Sequence, residues 1–117
     1  MSRFPRSVFD HGTEPDIRFT LANERTFLAW IRTALALLAG GVALEVLGLD
    51  LVPHLRLAAS LTLVISGALT PGLAWVNWMR TERALRLEQP LPGSLLGPVL
   101  SVAVSVSAVL VLLAVLL

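Results

Sequence analysis

"DIRFTLANERTFLAWIRTALALLAGG", residues 16–41, opens polar, turns into a long apolar run, and carries Arg18, Arg25 and Arg32 at a strict spacing of seven. Seven residues advance an α-helix by about 10.5 Å and close to two turns, so the three arginines form one stripe. Taking the apolar run to start near Phe27, Arg18 falls at headgroup level and Arg25 at the edge of the hydrocarbon. Arg32 falls about one and a half turns inside it. A helix built for lipid that carries arginine on one face is the feature from which the fold and the function have to be argued.

The rest of the chain supports the membrane reading. Its 117 residues are enough for one small domain, and 56% of them are hydrophobic. The mean hydropathy of +0.80 is too high for a soluble domain of this size. A bilayer core about 30 Å thick needs roughly 20 apolar helical residues. Three segments qualify: about 27–49, 57–79 and 95–117, the last two without a charge. Nothing alternates as barrel strands would, so the expected fold is an all-α membrane protein with three transmembrane helices. Residues 1–15 read as a flexible cytoplasmic tail and 16–117 as the three-helix membrane domain. No secretory signal peptide is expected, because Pro5, Asp10, Gly12 and Pro15 interrupt the first twenty residues and no apolar core stands among them.

Orientation follows from the basic residues, all nine of which are arginine. Arg3, Arg6, Arg18 and Arg25 precede the first span, and Arg80, Arg83 and Arg86 follow the second. The connection between those spans has only Arg56, with Asp50 nearby. The positive-inside rule places the N-terminus and the Arg80–Arg83–Arg86 cluster in the cytoplasm and the C-terminus on the opposite side. Trp75 and Trp78 fit an aromatic belt at the inner interface. Asp16 is well placed at the positive end of the first helix. "RTERALRLE" can extend the second helix, with Glu82 and Arg86 as an i, i+4 pair, before "QPLPGS" turns the chain.

An arginine inside the hydrocarbon costs at least about 2.5 kcal/mol and usually faces a bundle interior or a wet cavity. Alternatively the stripe can snorkel to the headgroups. In a symmetric oligomer each arginine becomes a ring, and such rings favour anions such as phosphate, whose oxygens a guanidinium binds bidentately. Ala36-x-x-x-Gly40, Ser101-x-x-x-Ser105 and Ala103-x-x-x-Ser107 offer close helix approach. Asn23, Glu24 and Asn77 are candidate inter-subunit polar partners. Glu45 reads as reaching the outer interface, and Pro71–Gly72 as a kink in the second span. With no cysteine and two isolated histidines, His11 and His54, no metal or cofactor is expected. No phosphate loop, catalytic triad or carboxylate pair is present, so enzymatic activity is not expected, and without a soluble basic domain neither is nucleic-acid binding.

"LANERTFLAWIRTALALLAGG", Leu21 to Gly41, closely resembles the signature of the YidH-like family, small bacterial inner-membrane proteins built on a domain of unknown function. The same domain resembles the membrane part of vacuolar transporter chaperone proteins, which make polyphosphate and move it across a membrane. The resemblance covers nearly everything after the tail, although the later spans match only in hydropathy. It implies a bacterial inner-membrane location and a pentameric ring. It also implies a cytoplasm-facing, anion-attracting mouth formed from Arg18, Glu24 and Arg25. The chain lacks the polymerase and phosphate-sensing domains of the chaperone complex, and its third span has no basic residue. The expected function is therefore a homo-oligomer with an arginine-lined anion site, a conduit for phosphate or polyphosphate. The alternative is a non-conducting scaffold whose arginines hold anionic lipid or a partner protein. A proton-coupled transporter using Glu45 ranks third.

Overall fold

Asp16 starts the first long helix. Its carboxylate accepts the backbone N–H of Arg18 at 2.9 Å, satisfying one of the donors that a helix start leaves unmet. The structure, a computed structural model, describes residues 3–47 and 50–117. It contains a short helix α1 (Arg6–Phe9) and three long ones, α2 (Ile17–Val46), α3 (Pro53–Arg86) and α4 (Leu96–Leu116). The three long helices are each long and apolar enough to cross a membrane. Gly48 and Leu49, the expected end of the first span, lie outside the described residues, as do Met1 and Ser2.

The helices outrun the apolar spans at one end of the bundle. At 1.5 Å per residue, α2 and α3 are about 45 and 51 Å long, against a hydrocarbon core of about 30 Å. The excess is where the expected extensions lie, residues 17–26 of α2 and 80–86 of α3. Helix α3 starts with Pro53, which suits a first helical turn because its missing N–H has no partner there anyway. It continues unbroken through Pro71, with Ser66 and Thr70 hydroxyls bonded back to the carbonyls four residues earlier.

Helices α2 and α3 form an antiparallel pair through small residues. The buried positions of α2 are Asn23, Ala34, Leu37 and Gly41. Facing them on α3 are Ser60, Gly67, Ala74 and Trp78. A Cβ at Gly41 would stand 2.6 Å from Val64 Cγ2 and 2.9 Å from the Ser60 carbonyl, so the backbones meet where only glycine fits. Ser60 Oγ donates to the Gly41 carbonyl across this contact. This seam is distinct from the Ala36-x-x-x-Gly40 pair offered for contact between copies: Ala36 is exposed, and the small face that packs on α3 lies one position round the helix, at Gly41. Helix α4 packs on the other side of α3 through Leu96, Leu100, Ser107 and Ala114, and among the described residues its backbone does not come close to that of α2. The Val52 N–H donates to the Ala114 carbonyl, tying the connection after α2 to the end of α4.

The sequence leaves residues 1–15 as a flexible tail, but residues 3–15 are folded back against the end of α3. Arg86 is the cause. Its guanidinium, 6% exposed, donates to the carbonyls of Phe9 (3.1 Å) and His11 (2.7 Å) and to the Glu14 carboxylate (3.3 Å). Thr13 N–H donates in turn to the Arg86 carbonyl. Gly12 sits at φ +63°, and a side chain there would collide with that carbonyl. Arg3 also pairs with Glu14 and lies over the Phe9 ring.

Candidate anion site at the arginine face

The seven-residue arginine spacing survives as a surface. Arg18, Arg25 and Arg32 are all exposed. At 100° per residue Arg25 and Arg32 stand roughly opposite the Asn23–Ala34–Gly41 stripe that packs on α3. Ala22, Ala29 and Ala36 each follow an arginine by four residues, and all three are exposed. The outer face of α2 thus alternates guanidinium groups with alanine methyl groups.

The three arginines differ in partners. Arg18 pairs with Asp16 at 3.0 Å, both outside the apolar stretch. Arg18's side chain and then its backbone N–H hold the Asp16 carboxyl below its ordinary value of 3.8. The fold favours the charged form, so the contribution of this cap is complete above the ordinary carboxylate value. It is lost as pH falls through the lower folded value. An NMR titration of the Arg18 amide should move with an apparent pKa below 3.8; a midpoint at or above that value would exclude the cap in solution. Arg25 and Arg32 have no ion pair or hydrogen-bond acceptor among the described residues, and Glu24 is exposed and equally unpaired.

Three other expectations change place. Asn23 is engaged inside the chain: its Nδ2 donates to the Trp78 carbonyl at 3.1 Å and to Glu82 at 3.5 Å. The expected Glu82–Arg86 pair is absent from these contacts, because Arg86 is taken by the N-terminal segment. Glu82 instead is 1% exposed and accepts from Thr20 and Asn23 of α2. Trp78 is not a headgroup-facing belt residue. It is 9% exposed and stacked on Trp75 with centroids 5.1 Å apart, and Phe9 lies against it. Trp75 also meets Phe4 and Phe27. Sequence reasoning missed Glu82 as a core residue. The signal was there, since Ala74, Trp78, Glu82 and Arg86 are each four apart and so share one helix face.

The remaining candidates are also placed. Arg80 and Arg83 are exposed. Asn77 is half-buried, one turn before Arg80, and has no hydrogen bond among the described residues. Glu45 pairs with Arg56 at 3.4 Å at the opposite end of the bundle from Asp16. No group of histidine, aspartate and glutamate among the described residues could hold a metal ion.

The chain is similar to proteins of known sequence over most of its length. Residues 18–84, which span nearly all of α2 and α3, match the family described as "Domain of unknown function (DUF202)". Inner membrane protein YidH of Escherichia coli is 49% identical over 103 residues, covering 86% of this chain and 89% of that protein. An uncharacterized protein of Mycobacterium tuberculosis is 52% identical over 80 residues, 68% of this chain and 66% of that one. No solved structure matches. With three membrane-spanning helices and a relative of that name, this is a multi-pass protein of the inner membrane. The chain belongs to the DUF202 family, whose match takes in both the arginine face of α2 and the face of α2 that packs on α3.

Proposed function

We propose that copies of this chain associate through the outer face of α2, so that Arg18, Arg25 and Arg32 converge on an anion site open to the cytoplasmic side. Phosphate or polyphosphate is the cargo class. The observation that carries this reading is that Arg25 and Arg32, on the face of α2 turned away from α3, have no partner among the described residues. An intramembrane arginine costs at least about 2.5 kcal/mol unless water, an anion or a counter-charge meets it. Among the described residues of one copy, no counter-charge does. In a ring of α2 helices, Glu24 of one copy supplies a counter-charge for Arg25 of the next. The ladder of alanines allows the approach. An enclosed ring of guanidinium groups attracts anions and excludes cations. The N-terminal end of the bundle faces the cytoplasm on the strength of its arginine excess.

Arg25→Ala and Arg32→Ala proteins, reconstituted in liposomes, test it. Each guanidinium–anion bond contributes about 1.5 kcal/mol or more, so phosphate flux should fall about tenfold or more in each variant. Cross-linking should still show the same subunit number. Flux in the wild type that survives both substitutions unchanged overturns the reading, as does a wild type that stays monomeric in the bilayer.

A further inference from the structure

A second set of unpartnered polar groups lies away from the α2 stripe, between α3 and the start of α4. Leu73, Val76, Asn77 and Arg80 line one wall of a hollow of about 130 Å³, and Ser94 and Leu95 help close the other. Arg80 stands just past the apolar stretch 57–79 and Asn77 just inside it. Leu73 lies about one turn deeper than Asn77, and Val76 about one turn deeper than Arg80. Neither the Asn77 carboxamide nor the Arg80 guanidinium has an acceptor or an ion pair among the described residues. Ser94 accepts the Leu96 N–H at 3.2 Å, and its hydroxyl proton remains to donate. Three donors at interfacial depth above an apolar wall match one kind of molecule: a negatively charged headgroup joined to an acyl chain.

We propose that this hollow is a binding site for an anionic phospholipid. Arg80 and Asn77 hold the phosphate oxygens, with the Ser94 hydroxyl beside them, and the acyl chain runs down Leu73 and Val76. Arginine suits the position because it offers several donors in a planar fork and its charge cannot be lost. Asn77 donates through Nδ2. The site is separate from the α2 face, so it stands or falls independently of the oligomer reading.

The test is native mass spectrometry of the protein extracted from nanodiscs. The discs contain an equal mixture of phosphatidylglycerol and phosphatidylethanolamine. A parallel arm uses inorganic phosphate and no added lipid. Wild type should retain phosphatidylglycerol over phosphatidylethanolamine. Arg80→Gln and Asn77→Leu should each lose at least about fivefold of that retention, from the loss of one hydrogen bond to a charged group. Arg80→Lys should keep part of it. Arg83→Gln, which removes an exposed arginine outside the hollow, should keep nearly all of it. Equal retention by Arg80→Gln overturns the proposal. So does an equal loss in Arg83→Gln, which would make the effect one of general charge. Arg80-dependent binding of inorganic phosphate, with no lipid retained, overturns the lipid and leaves a soluble anion as the ligand.

Discussion

Leucine at position 41 should separate α2 from α3. A Cβ alone at Gly41 would come within 2.6 Å of Val64 Cγ2, 2.9 Å of the Ser60 carbonyl and 3.2 Å of the Val64 N–H nitrogen. Two of these atoms are backbone, so no rotamer change relieves the clash. The helices must move apart, and the Ser60–Gly41 hydrogen bond goes with them. In a bilayer this matters more than in water. Lipid tails are as apolar as leucine, so helix association rests on close contact and interhelical hydrogen bonds. Overpacking of this kind costs about 3 kcal/mol. Unfolding followed by far-UV circular dichroism in mixed detergent micelles should show the midpoint of Gly41→Leu shifted accordingly. Gly72→Ala is the control. A Cβ there meets nothing within 4 Å, and the change should lie within about 0.5 kcal/mol of wild type or improve on it through helix propensity. A Gly41→Leu protein as stable as that control would mean that the seam is looser than described.

Arg86→Ala should release residues 3–15 while leaving the three long helices in place. The substitution removes the donor shared by the Phe9 and His11 carbonyls and the Glu14 carboxylate. Bonds to a charged donor contribute about 1.5–3 kcal/mol each when buried. Glu14 is mostly exposed, and the freed carbonyls regain water, so a net loss of about 2 kcal/mol is the fair expectation. That corresponds to about a thirtyfold rise in the undocked fraction. Limited trypsin digestion at Arg3 and Arg6, read by mass spectrometry, should accelerate by that order. Far-UV circular dichroism should change little. Arg86→Lys should release the segment in part, since one ammonium group cannot span three acceptors as the guanidinium does. Cleavage at the wild-type rate in Arg86→Ala would mean that the aromatic contacts of Phe4 and Phe9 hold the segment without it.

The three spans were legible because hydropathy over twenty residues is a property of the chain alone. The cap at Asp16 and the extension of α3 to Arg86 were legible for a similar reason, being settled within a turn or two. The seam and the N-terminal clasp were not. Gly40 and Gly41 are adjacent and chemically identical, and which of them meets α3 depends on the rotation of α2, which only the packed pair fixes. For Arg86 the local rule pointed to Glu82, four residues back. The rule fails because carbonyls 75 and 77 residues away offer better-placed acceptors. Glu82, freed of that pair, meets Thr20 and Asn23 across the helix pair. The arginine stripe is the intermediate case. Its spacing is written in the sequence, while its turn away from α3 becomes visible only when the opposite face is seen to be occupied.

The wide backbone separation of α2 and α4 bears on how the protein is made. Among the described residues, the contacts that join α2 to α3 lie between Thr20 and Arg86, including the glycine seam, the Asn23–Glu82 layer and the Glu45–Arg56 pair. The hairpin can therefore close while α4 is still emerging from the ribosome, and the last helix joins an already formed surface on α3. Defects in the glycine seam belong to the first of these two steps. Defects along Leu96, Leu100 and Ala114 belong to the second and should leave an inserted hairpin behind.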